Sequence, residues 1–259
     1  MLTNIDQNLI LSLVVGAFVG IASGFLGSIM VLKRMALVGD VISHVALPGM
    51  GIALVYGINP FVGAFTALAF GVLAIWGIQR KTAIPTEAIV GLIFAASLAI
   101  GILITPEPEL LEVLFGDISK VNMVDGVLAV TVSAIVVMII HFTRNKLVLG
   151  LISPDLAKTQ KINTSLLDLL FLAMVAVVVA LGIKVVGTLL MGALVIIPAI
   201  SAKNIARNLQ NYGLISLLLG AISAVGGIAL SETLNLPPGP TIVLTSAVLF
   251  LLTLLAKRE

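Results

Sequence analysis

The sequence predicts an all-α, polytopic membrane protein: one transmembrane domain over residues 1–259, with about eight to nine spanning helices, its N-terminus outside and its C-terminus in the cytoplasm. Three observations lead there. The 259 residues are 60% apolar and 10% charged, with a mean hydropathy of +1.24, far from the composition of a soluble domain. The apolar residues gather into runs close to the ~20 needed to cross a bilayer. Finally, Lys and Arg collect at alternate ends of those runs, which sets the orientation.

Taken in order, the runs lie at about 9 to 31, 35 to 57, 60 to 79, 87 to 104, 121 to 142, 165 to 183, 185 to 201, 212 to 231 and 239 to 256. The start, MLTNIDQN, has no basic stretch ahead of a long apolar run, so the first reads as a retained span rather than a cleaved signal. It carries Gly16, Gly20 and Gly24 at every fourth position, a small-residue stripe for close helix packing. The sixth and seventh runs are divided only around Gly182 to Lys184, so they read either as two spans or as a span with a broken or re-entrant piece. Pro198 is expected to kink or end the seventh.

With the N-terminus outside, Lys33, Arg34, Arg80, Lys81, Arg144, Lys146, Lys158, Lys161, Lys203, Arg207, Lys257 and Arg258 all fall at cytoplasmic ends, and only Lys120 and Lys184 fall outside. The net charge of +2 is therefore a topology signal and no pointer to nucleic acid. The expected location is the cell membrane, crossed many times. Outside, residues 105–120 hold Glu107, Glu109, Glu112 and Asp117 among Leu and Val; they read as solvated loop charges or as a cation-gathering mouth on a short surface helix.

The second run, MALVGDVISHVALPGMGIALVYG at 35 to 57, stands apart because it holds Asp40 and His44. Four residues apart, they share one helix face. Counted from Met35, Asp40 lies ~8 Å and His44 ~14 Å into the span. A carboxylate there costs ~2.5 to 3.5 kcal/mol on insertion scales, which favours a cavity, a partner or an ion beside it. Two readings stand: a site for a cation, or a polar helix contact with Asp40 near the headgroups and His44 bonded to a neighbouring helix. Pro48, Gly49 and Gly51 follow, residues that interrupt a span in the manner of transporter sites.

Between the fifth and sixth runs lies SPDLAKTQKIN, residues 153 to 163. Ser153 suits an N-cap, Pro154 the first helical position, and Asp155 the positive end of the dipole. A short helix started in this way on the cytoplasmic side is either a tidied loop or a docking element for a soluble partner. Glu87 and Asp168 read as dipole complements in the first turns of their helices, and Lys184 as a side chain that snorkels outward.

The sequence excludes several chemistries. It has no cysteine, so disulfides and thiolate metal sites are out and any metal is held by oxygen and imidazole. It has no GxxxxGK[ST] stretch, so ATP chemistry would sit on another chain. No GxSxG or HExxH occurs, and Ser43 and His44 point ~100° apart on a helix, so they form no nucleophile and base. No cofactor is implied.

GDVISHVALPG at 39 to 49 resembles the metal-ion permeases of ABC importers, the zinc and manganese uptake permease family, where a GD-xx-SH-xx-LPG run follows a basic turn such as Lys33-Arg34-Met35. The likeness continues in order through INPFVGA at 58 to 64, LFGDI at 114 to 118, VVGTLLMGALVIIPAISA at 185 to 202 and PPGPTIVLT at 237 to 245. The resemblance implies a homodimeric permease that takes a divalent ion from an extracytoplasmic metal-binding protein and is driven by a cytoplasmic ABC ATPase through a coupling helix. It implies Asp40 and His44 as intramembrane metal ligands, and Pro154, Asp155 and Ala157 as the coupling segment. Ser153 stands where members commonly carry Asp, and Lys161 where they commonly carry Gly. The expected activity is import of Mn2+, Zn2+ or Fe2+; a stand-alone ion-coupled carrier and an intramembrane hydrolase are the rival readings.

Overall fold

The computed structural model describes residues 2–105, 114, 121–188 and 190–256, the side chains of residues 2–7 excepted. Among them are ten α-helices and no strand. They are α1 (Leu2–Leu32), α2 (Ala36–Val55), α3 (Pro60–Lys81), α4 (Thr86–Ile104), α5 (Met123–Ile152), α6 (Pro154–Thr159), α7 (Thr164–Val186), α8 (Met191–Ile205), α9 (Leu209–Leu234) and α10 (Pro238–Leu255). All but α6 and α8 are long and apolar enough to cross a membrane, which makes eight spans. The acidic surface segment expected over residues 105–120 lies largely outside the described residues.

The helix starts are written locally. Asn59, Asn122, Asn163 and Asn208 each cap the helix that follows by accepting a main-chain N–H, at 2.9, 2.9, 3.1 and 2.8 Å. At α5, Asn122 and Asp125 form a full capping box. Asn235 ends α9 in the left-handed region at φ +51°.

Helix α7 is enclosed on nearly every side, from Phe171 to Val186, while α3 and α4 bury a narrow stripe and turn the rest outward. In a lipid solvent the exposed Leu, Ile and Phe of those outer helices need no further cover. The α1–α9 seam is closed by small residues. A Cβ on Gly20 would stand 2.8 Å from the Gly220 carbonyl carbon, and one on Gly24 2.9 Å from that of Ser216, so the predicted Gly stripe is a line of main-chain contact.

Cross-links sort the helix ends into two faces. Lys33 pairs with Asp168, Trp76 Nε1–H donates to Ser165 O at 3.0 Å, and Asn204 Nδ2 donates to Thr253 Oγ1 at 3.3 Å, all on the face that carries most of the Lys and Arg. On the opposite face Lys184 bonds Asp125 at 2.8 Å and lies 5.2 Å from the centre of the Phe61 ring. Lys184 thus answers a partner on α5, where a solvent-seeking side chain was expected. Helix α8 has only 15 residues and is not one of the eight spans. The chain divides α7 from α8 at 187–190, five residues beyond the Gly182 to Lys184 break that was expected, starting at Gly187 with φ +85°. Met191 then folds back alongside Gly182, so α8 starts below the end of α7.

Candidate functional site

Helix α2 runs unbroken through Pro48, which has no N–H to give the His44 carbonyl one turn earlier. The proline side of the helix faces α4: a Cβ on Gly101 would lie 3.4 Å from Pro48 N. Its next turn crosses α3 through two glycines, since a Cβ on either Gly49 or Gly63 would stand 2.8 Å from the other's carbonyl carbon. These absences of side chains bring α3 and α4 close around the segment that holds Asp40 and His44.

His44 is 5% exposed and meets Phe94 of α4 edge to face, ring centres 5.1 Å apart. Its Nδ1 is buried with no hydrogen-bond partner among the described residues. A buried, unpaired imidazole nitrogen is costly, by about 1–3 kcal/mol, and such groups survive in folded proteins mainly where a function needs them. Asp40, on the same face, is only partly covered. Its neighbour is the start of α8: a Cβ on Gly192 would lie 2.7 Å from both Asp40 Cα and Oδ1. Between the two, Ser43 is fully buried and its Oγ lies 2.6 Å from Thr188 O, in the stretch that separates α7 from α8. Beside the Asp40 and His44 face, Ser43 thus meets residues outside the helices, the backbone arrangement that lines transporter sites.

The donor set is one carboxylate and one imidazole per chain. Among the described residues no group of three or more His, Asp and Glu comes together. The other histidine, His141, packs edge-on against Phe142 on α5, with ring centres 5.6 Å apart. An oxygen with a borderline nitrogen suits Mn2+, Zn2+ and Fe2+ and selects none sharply. Two protein ligands leave the rest of the shell to water, carbonyls or a second subunit.

Residues 154–159, expected to start a short helix, form α6. Ser153 accepts the Leu156 N–H at 3.4 Å, Pro154 holds the first position, and Asp155 lies exposed beside Lys158 at 3.5 Å. Ala157 is fully buried and anchors the short helix, and its carbonyl accepts the Ile162 N–H at 2.9 Å. Lys161 sits at φ +55°, a left-handed position that favours Gly. At the two positions that depart from the resembled pattern, Ser153 caps the helix and Lys161 takes a left-handed conformation.

Reasoning from sequence missed the Lys33 partner. Asp168 lies in the second turn of α7 and pairs with Lys33, whose ammonium is also 5.0 Å from the Phe171 ring centre. The pair borders a cavity of about 560 Å³ on the basic face, between the α1–α2 turn, the α3–α4 turn, α5 and α7. Glu87 lines the same cavity from the first turn of α4, as expected of a dipole complement.

Comparison with known proteins places this geometry. The profile of the ABC 3 transport family matches residues 5–257. The manganese import system permease protein ScaB of Streptococcus gordonii is 32% identical over 249 residues, covering 93% of this chain and 88% of that protein. The high-affinity zinc uptake system membrane protein ZnuB of Haemophilus influenzae is 29% identical over 255 residues, 96% of this chain and 97% of that one. The solved structure of PsaBC from Streptococcus pneumoniae in complex with Fab superposes with a TM-score of 0.82 at 29% identity, over 95% of this chain and 90% of that one.

Proposed function

This chain belongs to the ABC 3 transport family, and from that premise we propose that it is the permease subunit of an importer carrying Mn2+ or Zn2+, with Fe2+ the third candidate, into the cytoplasm. It is a multi-pass membrane protein of the metal-ion permease branch. In the proposed assembly residues 1–259 act as one permease domain, two copies enclose the path, a separate ATPase supplies energy through Pro154, Asp155 and Ala157, and an extracytoplasmic metal-binding protein delivers the ion. The basic face is the cytoplasmic one.

The observation that carries the reading is the pair itself. Asp40 and His44 lie one turn apart in a span, the buried imidazole Nδ1 without a hydrogen-bond partner among the described residues and the carboxylate against the start of α8. A divalent cation supplies what both groups lack. With only two donors per chain the ion is held weakly enough to leave, a requirement for conduction. A second copy related by twofold symmetry doubles the set to two carboxylates and two imidazoles.

Uptake by the reconstituted complex tests this. Asp40→Ala and His44→Ala are each expected to abolish metal uptake while ATPase assembly and membrane insertion stay normal. Uptake at the wild-type rate in both variants overturns the site. Uptake on an ion gradient with the ATPase inactive overturns the ATP-driven reading in favour of a stand-alone carrier.

A further inference from the structure

Resting on the reading of Asp40 and His44 as the ion's ligands, we propose that Ser43 and Gly192 position the Asp40 carboxylate by pinning the stretch between α7 and α8 against α2. Neither residue touches the ion. Ser43 lies ~100° around the helix from His44, so its hydroxyl leaves the ligand face and reaches a different neighbour.

The hydroxyl has one hydrogen and two carbonyls within 2.6 Å, Asp40 O and Thr188 O. The Asp40 carbonyl is interior to a continuous helix, where the His44 N–H serves it. Thr188 O lies outside the helices, between the end of α7 at Val186 and the start of α8 at Met191. The proton therefore goes to Thr188, and the bond ties two elements together in a fully buried place where water does not compete.

Four residues further on, that tie has an effect. Gly192 is in the first turn of α8, and the space a side chain would fill there is taken by Asp40, whose Cα and Oδ1 would lie 2.7 Å from a Cβ. The first N–H groups of α8 have no helical acceptor, and the positive end of its dipole meets the carboxylate. Asp40 is thus held on one side by its own helix and on the other by the main chain of α8. The place of α8 is fixed in turn by Ser43.

The test uses the full permease with its ATPase in nanodiscs, with Mn2+ alone as the probe and unbound Mn2+ read from its paramagnetic resonance signal. Ser43→Ala is expected to weaken Mn2+ binding ~10- to 100-fold, the range found when the outer partners of a metal ligand are removed. Ser43→Thr, which keeps the hydroxyl, is expected to bring affinity back to within a few-fold of the wild type. Gly192→Ala, made on the other element, is expected to weaken binding as well, and it carries the test where the serine variant does not assemble. A purely structural role lowers the amount of folded complex and leaves affinity per complex unchanged. Wild-type affinity in Ser43→Ala and Gly192→Ala overturns the proposal, as does a loss in Ser43→Ala that Ser43→Thr does not repair. Mn2+ binding that survives Asp40→Ala is a different failure, that of the ligand assignment itself.

Discussion

Lys33 and Asp168 form an ion pair between residues 135 positions apart, tying the turn before α2 to the second turn of α7. One end of the tie lies seven residues before Asp40. The other lies five residues after Asn163, which caps α7 directly behind the short helix α6. The pair thus joins the turn that leads into α2, the helix of the proposed ion ligands, to the start of the helix that follows the proposed coupling segment.

Lys33→Met is expected to destabilise the fold by about 0.5–1 kcal/mol, because it removes the partner of Asp168, whose half-exposed carboxylate water can in part solvate. Adding Asp168→Leu is expected to recover most of that loss, since an apolar pair carries no desolvation cost. Thermal melting in detergent reads the stability. Parallel ATPase and uptake assays are expected to show the double variant hydrolysing ATP with little metal moved. Normal uptake per ATP in the double variant removes the pair from coupling.

Pro48→Ala gives the His44 carbonyl a main-chain donor and straightens α2. It is expected to raise the melting temperature and to lower uptake at least ~10-fold, the trade met where a site depends on a locally strained element. A variant that is both more stable and fully active shows that the interruption has no role in transport.

Asp40→Glu moves the carboxylate one methylene further along a path already closed by Gly192. The expected result is that the longer acid does not replace the shorter one: uptake stays below ~10% of wild type, a loss of ~1.4 kcal/mol or more in the rate-limiting step. Restoration above half of the wild-type rate indicates a roomier site than the one described.

Lys161→Gly relieves a left-handed backbone that a side chain tolerates poorly. Part of the gain is offset by the greater freedom of glycine in the unfolded chain, so the expected stabilisation is about 0.5–1 kcal/mol. Comparison of melting temperatures checks it; a decrease means that the Lys161 side chain supports the turn in its own right.

Much of this architecture was legible in the residues. The spans followed from apolar runs, and the start of α6 from Ser153, Pro154 and Asp155. The pair Asp40 and His44 stood out because charge is rare in hydrocarbon. What stayed hidden was of two kinds. The break between α7 and α8 was placed five residues early, because Lys184 is the charged residue in that stretch and GTLLMG beyond it carries no charge. In lipid an unwound stretch needs partners for its carbonyls, and one of them, Ser43, lies 145 residues away. Lys184 and Asp168 were likewise read from their immediate surroundings, whereas each answers a charge on a distant element. Helix α5 extends to Ile152, ten residues past its apolar run, because hydropathy marks where hydrocarbon ends and says nothing of where helix ends.

The shortness of α8 has an electrical meaning. Its 15 residues span ~22 Å, against ~30 Å of hydrocarbon, so α8 alone does not fill the thickness of a bilayer beside Asp40. A membrane voltage delivers ~2.3 kcal/mol per elementary charge for each 100 mV, and where the insulating layer is thinner that drop is compressed into a shorter distance. In the proposed orientation, with the basic face toward the negative interior, the proposed doubly charged passenger would feel that pull inward beside the carboxylate.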